Sequence, residues 1–497
     1  MEKTSEKIPS NINDDLRKYY ILLDKMIILY KKIQHICLIN LNNVFKKNIY
    51  EELSKDKLIK DTIQILEKYK YDFNKLLSTQ ILINENEDNL YVSLSKELNI
   101  LINDSIIERN KDVDLFKIPL NMGKSKKSIF KVKKEHEVEQ LSNFIDKISP
   151  KEKIETLLEM GCGKSYLTET ILSHNKNCLY IGIDMKENLI KKSNSNNNKE
   201  NFFVLYSIVT ANNFQKFYDE KIKEILISKN KTENNIFLLG LHSCGNLTSD
   251  TLKVFIKYKC FSNLAIVGCC MNLLTEYITP EAKNSILFQN YYNTIGYTVK
   301  GDFLEKTCIF NYNFDEIGYP LSQHIIKIYP DLFLTRTARN SAMQNNTETE
   351  QIDSIMYKKF YYRTLLQVFF DDYINEYSWT YGFGKIDLEE NESFKDYLLK
   401  FFKDVDKNNE SINKKKDYII KNIDVVLKEF LSNHKGKEKI LWSVNMIRMK
   451  FAKLVEYIIA LDRIIYLIEN GIEKVKLVKI FNEIISTRNI LIYASKK

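Results

Sequence analysis

Two closely spaced glycines, Gly161 and Gly163, follow a short apolar run and precede a helical pattern that begins near Tyr166. Glycine allows a tight turn and a close approach of the backbone to a ligand, and the N-terminus of a helix offers unpaired N–H groups. The next apolar run ends at Asp184, about twenty residues later, where a carboxylate accepts hydrogen bonds from ribose hydroxyls. This spacing predicts a corner that binds a nucleoside.

The residues around the glycines distinguish between classes of nucleoside ligand. The segment Gly163-Lys164-Ser165 ends like a phosphate-binding loop, but Leu158 stands where that motif has its first glycine. Ser165 also replaces the third glycine that packs against the pyrophosphate in dinucleotide-binding folds. Glu159 is placed to face a cationic amino-acid group, so we predict S-adenosylmethionine rather than NAD. The predicted cofactor-binding residues are Glu159, Gly161, Gly163, Ser165 and Asp184.

Polar and sulfur-containing residues end or follow two later apolar runs. The fourth run ends in His242 and Cys244, and the fifth is followed by Cys270 and Asn272. Ligands of an open α/β sheet lie at the carboxyl ends of its strands, so these two loops are expected to meet. Imidazole exchanges protons near neutral pH, which makes His242 a candidate general base; a histidine bonded within its own loop is the equal alternative. We predict that His242, Cys244 and Asn272 align the second substrate.

The same loops contain the ligand types of a zinc site. Thiolates from Cys244, Cys269 and Cys270 and the imidazole of His242 all suit that ion. Adjacent cysteines do not easily ligate one metal, and the sequence has no C-x-x-C pair. We therefore predict small buried thiols and no metal.

Three further residues are weaker candidates for the site. His136 lies before the first strand, either at the edge of the pocket or exposed on a helix. Arg339 and Asn340 lie far beyond the fifth run, where either an acceptor contact or a structural salt bridge is expected, with the structural role preferred.

Five apolar runs alternate with helix-length stretches between residues 155 and 274. Near-continuous apolar strands joined by helices indicate a parallel sheet covered on both faces, so the predicted fold class is α/β. A long amphipathic helix ends at the C-cap signal Asn470-Gly471, and two more strand candidates, 474–481 and 488–495, close the chain.

Nine short segments, spread in order over nearly the whole chain, resemble the family of methyltransferase-like protein 25 and its relative named for a ribosomal RNA adenine dimethylase domain. The most specific are the LHSCG and GCC segments, which contain Cys244, Cys269 and Cys270. The matching segments are KKEHEV (133–138), EMGCGKSYL (159–167), GLHSCGNL (240–247), VGCCMNLL (267–274), YPLSQ (319–323), ARNSA (338–342), YYRTLLQV (361–368), IIALDRIIYL (458–467) and STRNILIYA (486–494).

The resemblance implies a class I, Rossmann-like methyltransferase fold, S-adenosylmethionine as cofactor and a poorly defined methyl acceptor. Folds of this class end their mostly parallel sheet in an antiparallel hairpin, so the two C-terminal strands are expected to return to it. One departure is Ser165, because the family tends to have glycine there. Enzymes that methylate exocyclic amines usually have Asn or Asp, Pro and an aromatic residue after the fourth strand, whereas His-Ser-Cys-Gly begins at His242, which disfavours an N6-adenine substrate.

These expectations divide the chain into three parts and leave three functions open. Residues 1–120 form a helical N-terminal region, 121–275 with 440–497 form the methyltransferase core, and 276–439 form a mostly helical insertion. The first function is methyl transfer to a macromolecular acceptor, protein or RNA. The alternative functions are a non-catalytic binding or adaptor protein that kept the fold and a metal-binding protein.

Composition limits where such a protein would act. The chain has 497 residues and a net charge of +9, but its lysines are interleaved with 65 acidic residues, which is weak evidence for RNA binding. The polar first twenty residues do not have the pattern of a signal peptide, and charges interrupt every apolar stretch of membrane-spanning length. Eight cysteines suit a reducing compartment. We expect a protein without membrane association, intracellular and either cytoplasmic or nuclear.

Overall fold

The fold is described here from a computed structural model of the chain. The residues described are 13–72, 76–77, 82, 84–103, 106–109, 126–152, 155–174, 178–196, 200–296, 307–343, 354–374, 386–404 and 410–496. The predicted boundary at residues 120–121 lies outside the described residues.

A central sheet organises the described part of the chain and has eight strands in the order β1-β9-β10-β6-β5-β2-β3-β4. Strands β7 and β8, of two residues each, form a separate parallel pair. The strands are β1 (Ile107–Arg109), β2 (Thr156–Met160), β3 (Leu179–Asp184), β4 (Phe202–Tyr206), β5 (Ile236–Cys244), β6 (Phe261–Cys269), β7 (Glu276–Tyr277), β8 (Cys308–Ile309), β9 (Lys474–Lys479) and β10 (Ile490–Ser495).

The pairing of the strands is the one expected of a class I methyltransferase fold. Strands β4, β3, β2, β5 and β6 run parallel in that spatial order. The closing strand β10 pairs antiparallel with both β6 and β9, so the predicted C-terminal hairpin does return to the sheet. This confirms the predicted α/β fold class, the strand positions and the final hairpin.

Helices precede, connect and follow the strands. The N-terminal helices are α1 (Asp14–Cys37), α2 (Lys47–Lys55), α3 (Lys57–Lys68) and α4 (Leu90–Ile102). The helices between the first six strands are α5 (Lys126–Glu152), α6 (Tyr166–His174), α7 (Glu187–Asn196), α8 (Phe214–Phe217), α9 (Lys223–Ser228) and α10 (Asn246–Lys257), with a π-helical turn at Tyr218–Ile222.

The segment between β6 and β9 is mostly helical, as predicted. Its shorter elements include a π-helical turn at Phe370–Ile374 and a 3₁₀ turn, Met271–Leu273, that directly follows β6. The helices are α11 (Pro280–Asn284), α12 (Ile286–Gly296), α13 (Gln323–Ile328), α14 (Thr335–Ser341), α15 (Ser354–Phe369), α16 (Phe394–Asp404), α17 (Glu410–Lys421), α18 (Ile423–His434), α19 (Glu438–Lys450) and α20 (Ala452–Glu469).

The sheet separates two apolar layers, as the alternation of side chains along each strand requires. Leu158 of β2 points into a large cluster that also contains α1, α19 and α20. Its neighbour Leu157 points into a smaller cluster with α5 and α6. Because N-terminal helices, insertion helices and one face of the sheet share the large cluster, they are packed on one another; the domain bounds at residues 120, 275 and 440 stay predictions.

Helix α20 is the centre of the large cluster. It is buried on nearly all sides and packs against α1, which explains why its sequence is apolar almost all round. The chain leaves the helix at Asn470-Gly471, where the φ angle of Gly471 is +80° and the N–H groups of Gly471 and Ile472 donate to the carbonyls of Ile468 and Leu467. This confirms the predicted C-cap. No helix within the described ranges combines the length and the hydropathy needed to cross a membrane.

Two parts of the architecture are absent from the sequence expectations. Strand β1 adds to the edge of the sheet beside β9, and β7 pairs with β8 inside the segment that we expect to be mostly helical. These strands have three or two residues each, which is too short for a periodic pattern.

Candidate functional site

The turn after β2 has the backbone conformation that its glycines predict. Gly161 and Gly163 have φ angles of +77° and +58°, in the region that favours glycine. The N–H groups of Gly161 and Cys162 donate to the Ile183 carbonyl of β3 at 2.8 and 3.1 Å, which fixes the turn against the sheet. A Cβ atom added to Gly163 would meet nothing within 4 Å, so this part of the turn is open.

Asp184, at the end of β3, faces this turn. Its Oδ2 accepts a hydrogen bond from the Gly163 N–H at 2.9 Å, and its Oδ1 accepts one from the Lys186 N–H at 2.8 Å. Each carboxylate oxygen accepts two hydrogen bonds, so both oxygens keep capacity for a ligand. The structure therefore places Asp184 beside the glycines, with its carboxylate directed toward them.

Three large apolar side chains near Asp184 are exposed, and sequence reasoning missed them. They are Met185, 60% exposed, Tyr206, 58% exposed, and Ile208, 61% exposed. Tyr206 is the residue paired with Asp184 across β3 and β4. Apolar groups exposed together at the carboxyl edge of a sheet indicate a surface that a ligand covers.

Glu159, the last residue but one of β2, is buried beneath the turn. Its Oε2 accepts hydrogen bonds from the hydroxyls of Tyr180 at 2.6 Å and Thr168 at 2.7 Å. Burial raises the pKa of Glu159 to about 7, and the charge of Asp184 adds to the rise, while the two hydroxyl groups oppose it. The carboxyl group is therefore poised between its neutral and charged forms near neutral pH.

Ser165 has a side chain that faces away from the open turn. It is fully buried, and its hydroxyl bonds to the Ser193 hydroxyl of α7 at 2.9 Å. Its φ angle is +59°, a left-handed conformation that glycine adopts at lower cost. This conformation explains why glycine suits the position, and the predicted cofactor contact of Ser165 stays a prediction that its side chain does not support.

A cavity of about 420 Å³ connects the glycine turn with the loops after β5 and β6. This volume lies in the range of pockets that bind small molecules. Four cationic side chains and two carboxylates are among its lining residues. The lining consists of Lys133, Lys134, Glu137, Val138, Glu159, Gly161, Cys162, Gly163, Lys164, Tyr166, Leu167, Leu241, His242, Cys269, Cys270, Met343 and Arg488.

Arg488 is a pocket residue that sequence reasoning did not single out. It is 8% exposed, and the hydrogen bond described for its guanidinium, to Thr487 Oγ1 at 3.4 Å, is long. A buried cation with so little compensation attracts an anionic group of a ligand. The family segment STRNILIYA contains this residue, but nothing in that segment marks it as a pocket residue.

His242 is brought into this cavity together with Glu137 of α5. His242 Nε2 lies 2.8 Å from Glu137 Oε2, and Glu137 Oε1 accepts a hydrogen bond from Ser486 at 2.6 Å. Burial alone would raise the pKa of Glu137. The hydrogen bond and charge of His242, the hydrogen bond from Ser486 and the charge of Lys133 together outweigh burial, so this pKa is lower than usual. A buried carboxylate thus orients the imidazole, which is the arrangement of an aligned general base.

The three cysteines of the loops converge at the edge of the same cavity. The Cys244 sulfur lies 2.9 Å from that of Cys269 and 3.2 Å from that of Cys270, and the last two lie 3.5 Å apart. Hydrogen bonding from Cys269 lowers the pKa of Cys244 to about 6. The prediction of small buried thiols holds for Cys269 alone among these three, because Cys244 is exposed and Cys270 is half-buried.

Asn272 and Cys244, two of the predicted alignment residues, do not line the cavity itself. Asn272 lies in the 3₁₀ turn after β6, where its N–H donates to the Met343 sulfur at 3.5 Å. Its Oδ1 is buried and accepts no hydrogen bond from the part of the chain that the structure describes. The predicted roles of both residues stay predictions.

Both predicted positions of His136 are wrong. The side chain is fully buried, and its Nε2 accepts a hydrogen bond from the Asn482 N–H at 2.9 Å, so it anchors α5 to the C-terminal hairpin. Arg339 has the structural role that was preferred. It is fully buried, forms an ion pair with Glu276, and donates to the Met271 and Leu274 carbonyls at 3.0 and 2.9 Å.

Comparison with known proteins agrees with this geometry. Residues 133–277, which include β2 to β6 and Glu137, match a family described as a methyltransferase domain. The chain is 24% identical to the probable methyltransferase-like protein 25 of Mus musculus over 261 residues, which is 52% of this chain and 37% of the relative. It is 24% identical to the probable methyltransferase-like protein 25 of Homo sapiens over 315 residues, 62% of this chain and 43% of the relative.

The matches therefore span less than half the length of these curated relatives. No solved structure was found to match the chain. The chain contains a methyltransferase domain, and the resemblance stated from its sequence segments is confirmed.

Proposed function

We propose that this protein is an S-adenosylmethionine-dependent methyltransferase that acts on a macromolecule, either protein or RNA. One observation supports the proposal most strongly. A single cavity joins the open Gly161–Gly163 turn to the paired side chains of His242 and Glu137. A cofactor bound at the turn and an acceptor bound at the pair would therefore meet.

The residues around the turn fit each part of the cofactor. Asp184 would bind the ribose hydroxyls, and the exposed apolar side chains of Met185, Tyr206 and Ile208 would cover the adenine. The amino-acid end of the cofactor carries a positive ammonium group and a negative carboxylate group. Glu159 would face its ammonium group, and Arg488 would bind its carboxylate.

When bound, the cofactor supplies a methyl group on a sulfonium centre that is already a good leaving group. The protein then contributes mainly the position of the acceptor. His242, aligned by Glu137, would accept the proton of an attacking N–H or O–H group. The lysines at the cavity, Lys133, Lys134 and Lys164, would attract an acidic or phosphate-bearing acceptor.

The adaptor alternative has less support than the sequence suggested. It depended on Ser165, but that side chain is directed into the protein and leaves the turn open. The substitution therefore does not block the region where the cofactor is proposed to bind.

Methyl transfer from labelled S-adenosylmethionine into fractionated cell extract tests the proposal. We expect label in a macromolecular fraction, and sensitivity to protease or to ribonuclease then identifies the acceptor class. His242→Asn is expected to reduce incorporation by about 10²- to 10⁴-fold without weakening cofactor binding, because asparagine tolerates the left-handed backbone of residue 242. Glu137→Gln should also reduce the incorporation of labelled methyl groups.

The exposed neighbour Glu139 provides a matched control on the same helix. Glu139→Gln should label the extract at the wild-type rate. Equal incorporation by wild type and His242→Asn would contradict the proposed base, and label confined to small molecules would contradict a macromolecular acceptor.

A further inference from the structure

The cluster of Cys244, Cys269 and Cys270 is not explained by methyl transfer as proposed above. We infer that these three residues bind one zinc ion, whose fourth ligand is a water molecule or an atom of a molecule bound in the cavity. The inference stands apart from the proposed function, because it depends only on the arrangement of the three sulfur atoms.

The backbone explains how all three sulfur atoms reach one place. Cys244 and Cys269 are paired residues at the ends of the parallel strands β5 and β6, so their side chains are neighbours across the sheet. Cys270 would point to the opposite face if the strand continued. Instead it has a φ angle of +51°, and this left-handed turn brings its sulfur to the side occupied by Cys269. The argument that adjacent cysteines do not ligate one ion therefore fails at this position.

The distances are close to those of a thiolate zinc site. Three sulfur atoms bound tetrahedrally to zinc at about 2.3 Å lie about 3.8 Å apart. The observed separations of 2.9, 3.2 and 3.5 Å would need to increase by less than about 1 Å to reach that spacing. Soft thiolate ligands favour zinc over calcium or magnesium, which prefer oxygen.

The number of ligands indicates an open site. Among the described residues, no fourth His, Cys, Asp or Glu side chain joins the group. Closed structural zinc sites usually have four protein ligands, whereas zinc sites that act on a substrate have three and keep one position for water or substrate. Cys269 and Cys270 both line the cavity, so a ligand in that cavity can reach the fourth position.

Elemental analysis of the full chain, purified with reductant from zinc-supplemented cells, tests the inference. We expect about one zinc per chain. Cys244→Ser changes the exposed member of the cluster and should lower the zinc content at least tenfold, while Cys260→Ser, at a cysteine outside the cluster, should leave it unchanged.

Cobalt substitution provides a second measurement that does not require a variant. Adding Co²⁺ to metal-free wild-type protein should produce a thiolate-to-cobalt charge-transfer band that saturates at one equivalent. Zinc retained by Cys244→Ser at the wild-type level would overturn the inference, as would the absence of both zinc and the cobalt band from wild type. The cobalt titration uses no S-adenosyl compound, so its failure is distinguishable from a failure of the proposed function.

Discussion

Three non-glycine residues near the carboxyl ends of the strands have left-handed backbones. Ser165 follows β2, His242 interrupts the register of β5, and Cys270 follows β6, with φ angles of +59°, +59° and +51°. Each such residue costs about 1–3 kcal/mol and persists only where its surroundings enforce it. Two of them, His242 and Cys270, line the cavity, as strained residues of functional sites often do.

Glu159 is expected to make the folded protein less stable as the pH rises. Its folded-state pKa of about 7 lies above the ordinary carboxyl value of 4.5, so the folded state holds the proton more tightly. The free energy of unfolding should therefore fall by up to about 3 kcal/mol as pH rises from 4.5 through 7. Tyr180, Thr168 and Asp184 are the polar and charged groups that set this pKa.

Glu159→Gln should remove this pH dependence, because glutamine keeps an acceptor oxygen but does not ionise. Urea unfolding at pH 5, 6, 7 and 8 measures the effect. The exposed Glu224→Gln serves as the control and should retain the wild-type slope. An unchanged slope in Glu159→Gln would show that the buried carboxyl group does not titrate in this range.

Ser165 allows the cost of its left-handed backbone to be measured. Ser165→Ala and Ser165→Gly both lose the hydrogen bond to Ser193, but only glycine relieves the backbone. Chemical denaturation should therefore find Ser165→Gly more stable than Ser165→Ala by about 1 kcal/mol. Equal stability of the two variants would argue that the backbone at residue 165 is not left-handed in solution.

At the scale of elements, the buried Arg339 side chain joins the insertion to the loop after β6. Arg339 of α14 pairs with Glu276 of β7, and Glu276 also accepts the N–H groups of Leu334 and Thr335 at 2.6 and 2.8 Å. Arg339 further bonds to two carbonyls of residues 271–274. The insertion therefore fixes the loop that contains Asn272 and follows Cys270.

Arg339→Met should destabilise the protein by about 3–5 kcal/mol, because it leaves the buried Glu276 carboxylate without its cationic partner. The double variant Arg339→Met with Glu276→Gln removes both charges and should recover part of the loss. Thermal unfolding of Arg339→Met, Glu276→Gln and the double variant measures the three losses of stability. If the double variant lost the sum of the two single losses, the pair would not be coupled.

Elements that leave a long apolar or glycine pattern in the sequence could be predicted. Features that depend on contacts between residues far apart along the chain could not. Strands β2 to β6 and the turn at Gly161–Gly163 follow from apolar runs and glycine spacing. Glu137 could not be found in this way, because it is 105 residues from His242 along the chain and meets it only through the packing of α5. The burial of His136, one residue earlier, has the same cause.

At the scale of the whole molecule, the three predicted parts share one core. Helix α1 packs along α20, and their apolar residues join those of β6 and the insertion in one cluster. The sequence shows each amphipathic face but not which other face it contacts, so this shared packing could not be predicted.

The shared core predicts that the chain unfolds in one cooperative transition. Far-ultraviolet circular dichroism and tryptophan fluorescence, to which Trp442 of α19 contributes, should give coincident urea midpoints. Leu461→Ala, at the buried centre of α20, should lower the free energy of unfolding by about 2–5 kcal/mol. Both urea midpoints should then fall together. Two separate transitions would instead show that the N-terminal helices or the insertion fold independently.

The central claim is that the turn after β2 and the carboxylate of Asp184 bind an adenosyl group. Calorimetric titration of the full chain with S-adenosylhomocysteine tests this most directly. We expect one binding site, with an affinity that Asp184→Ala lowers by at least about 100-fold, because two charge-assisted hydrogen bonds are lost. Asp184→Asn, which keeps one acceptor oxygen for the Gly163 N–H, should lose less, and the exposed Asp417→Ala should bind like wild type. No binding by wild type, or equal binding by Asp184→Ala, would contradict the account.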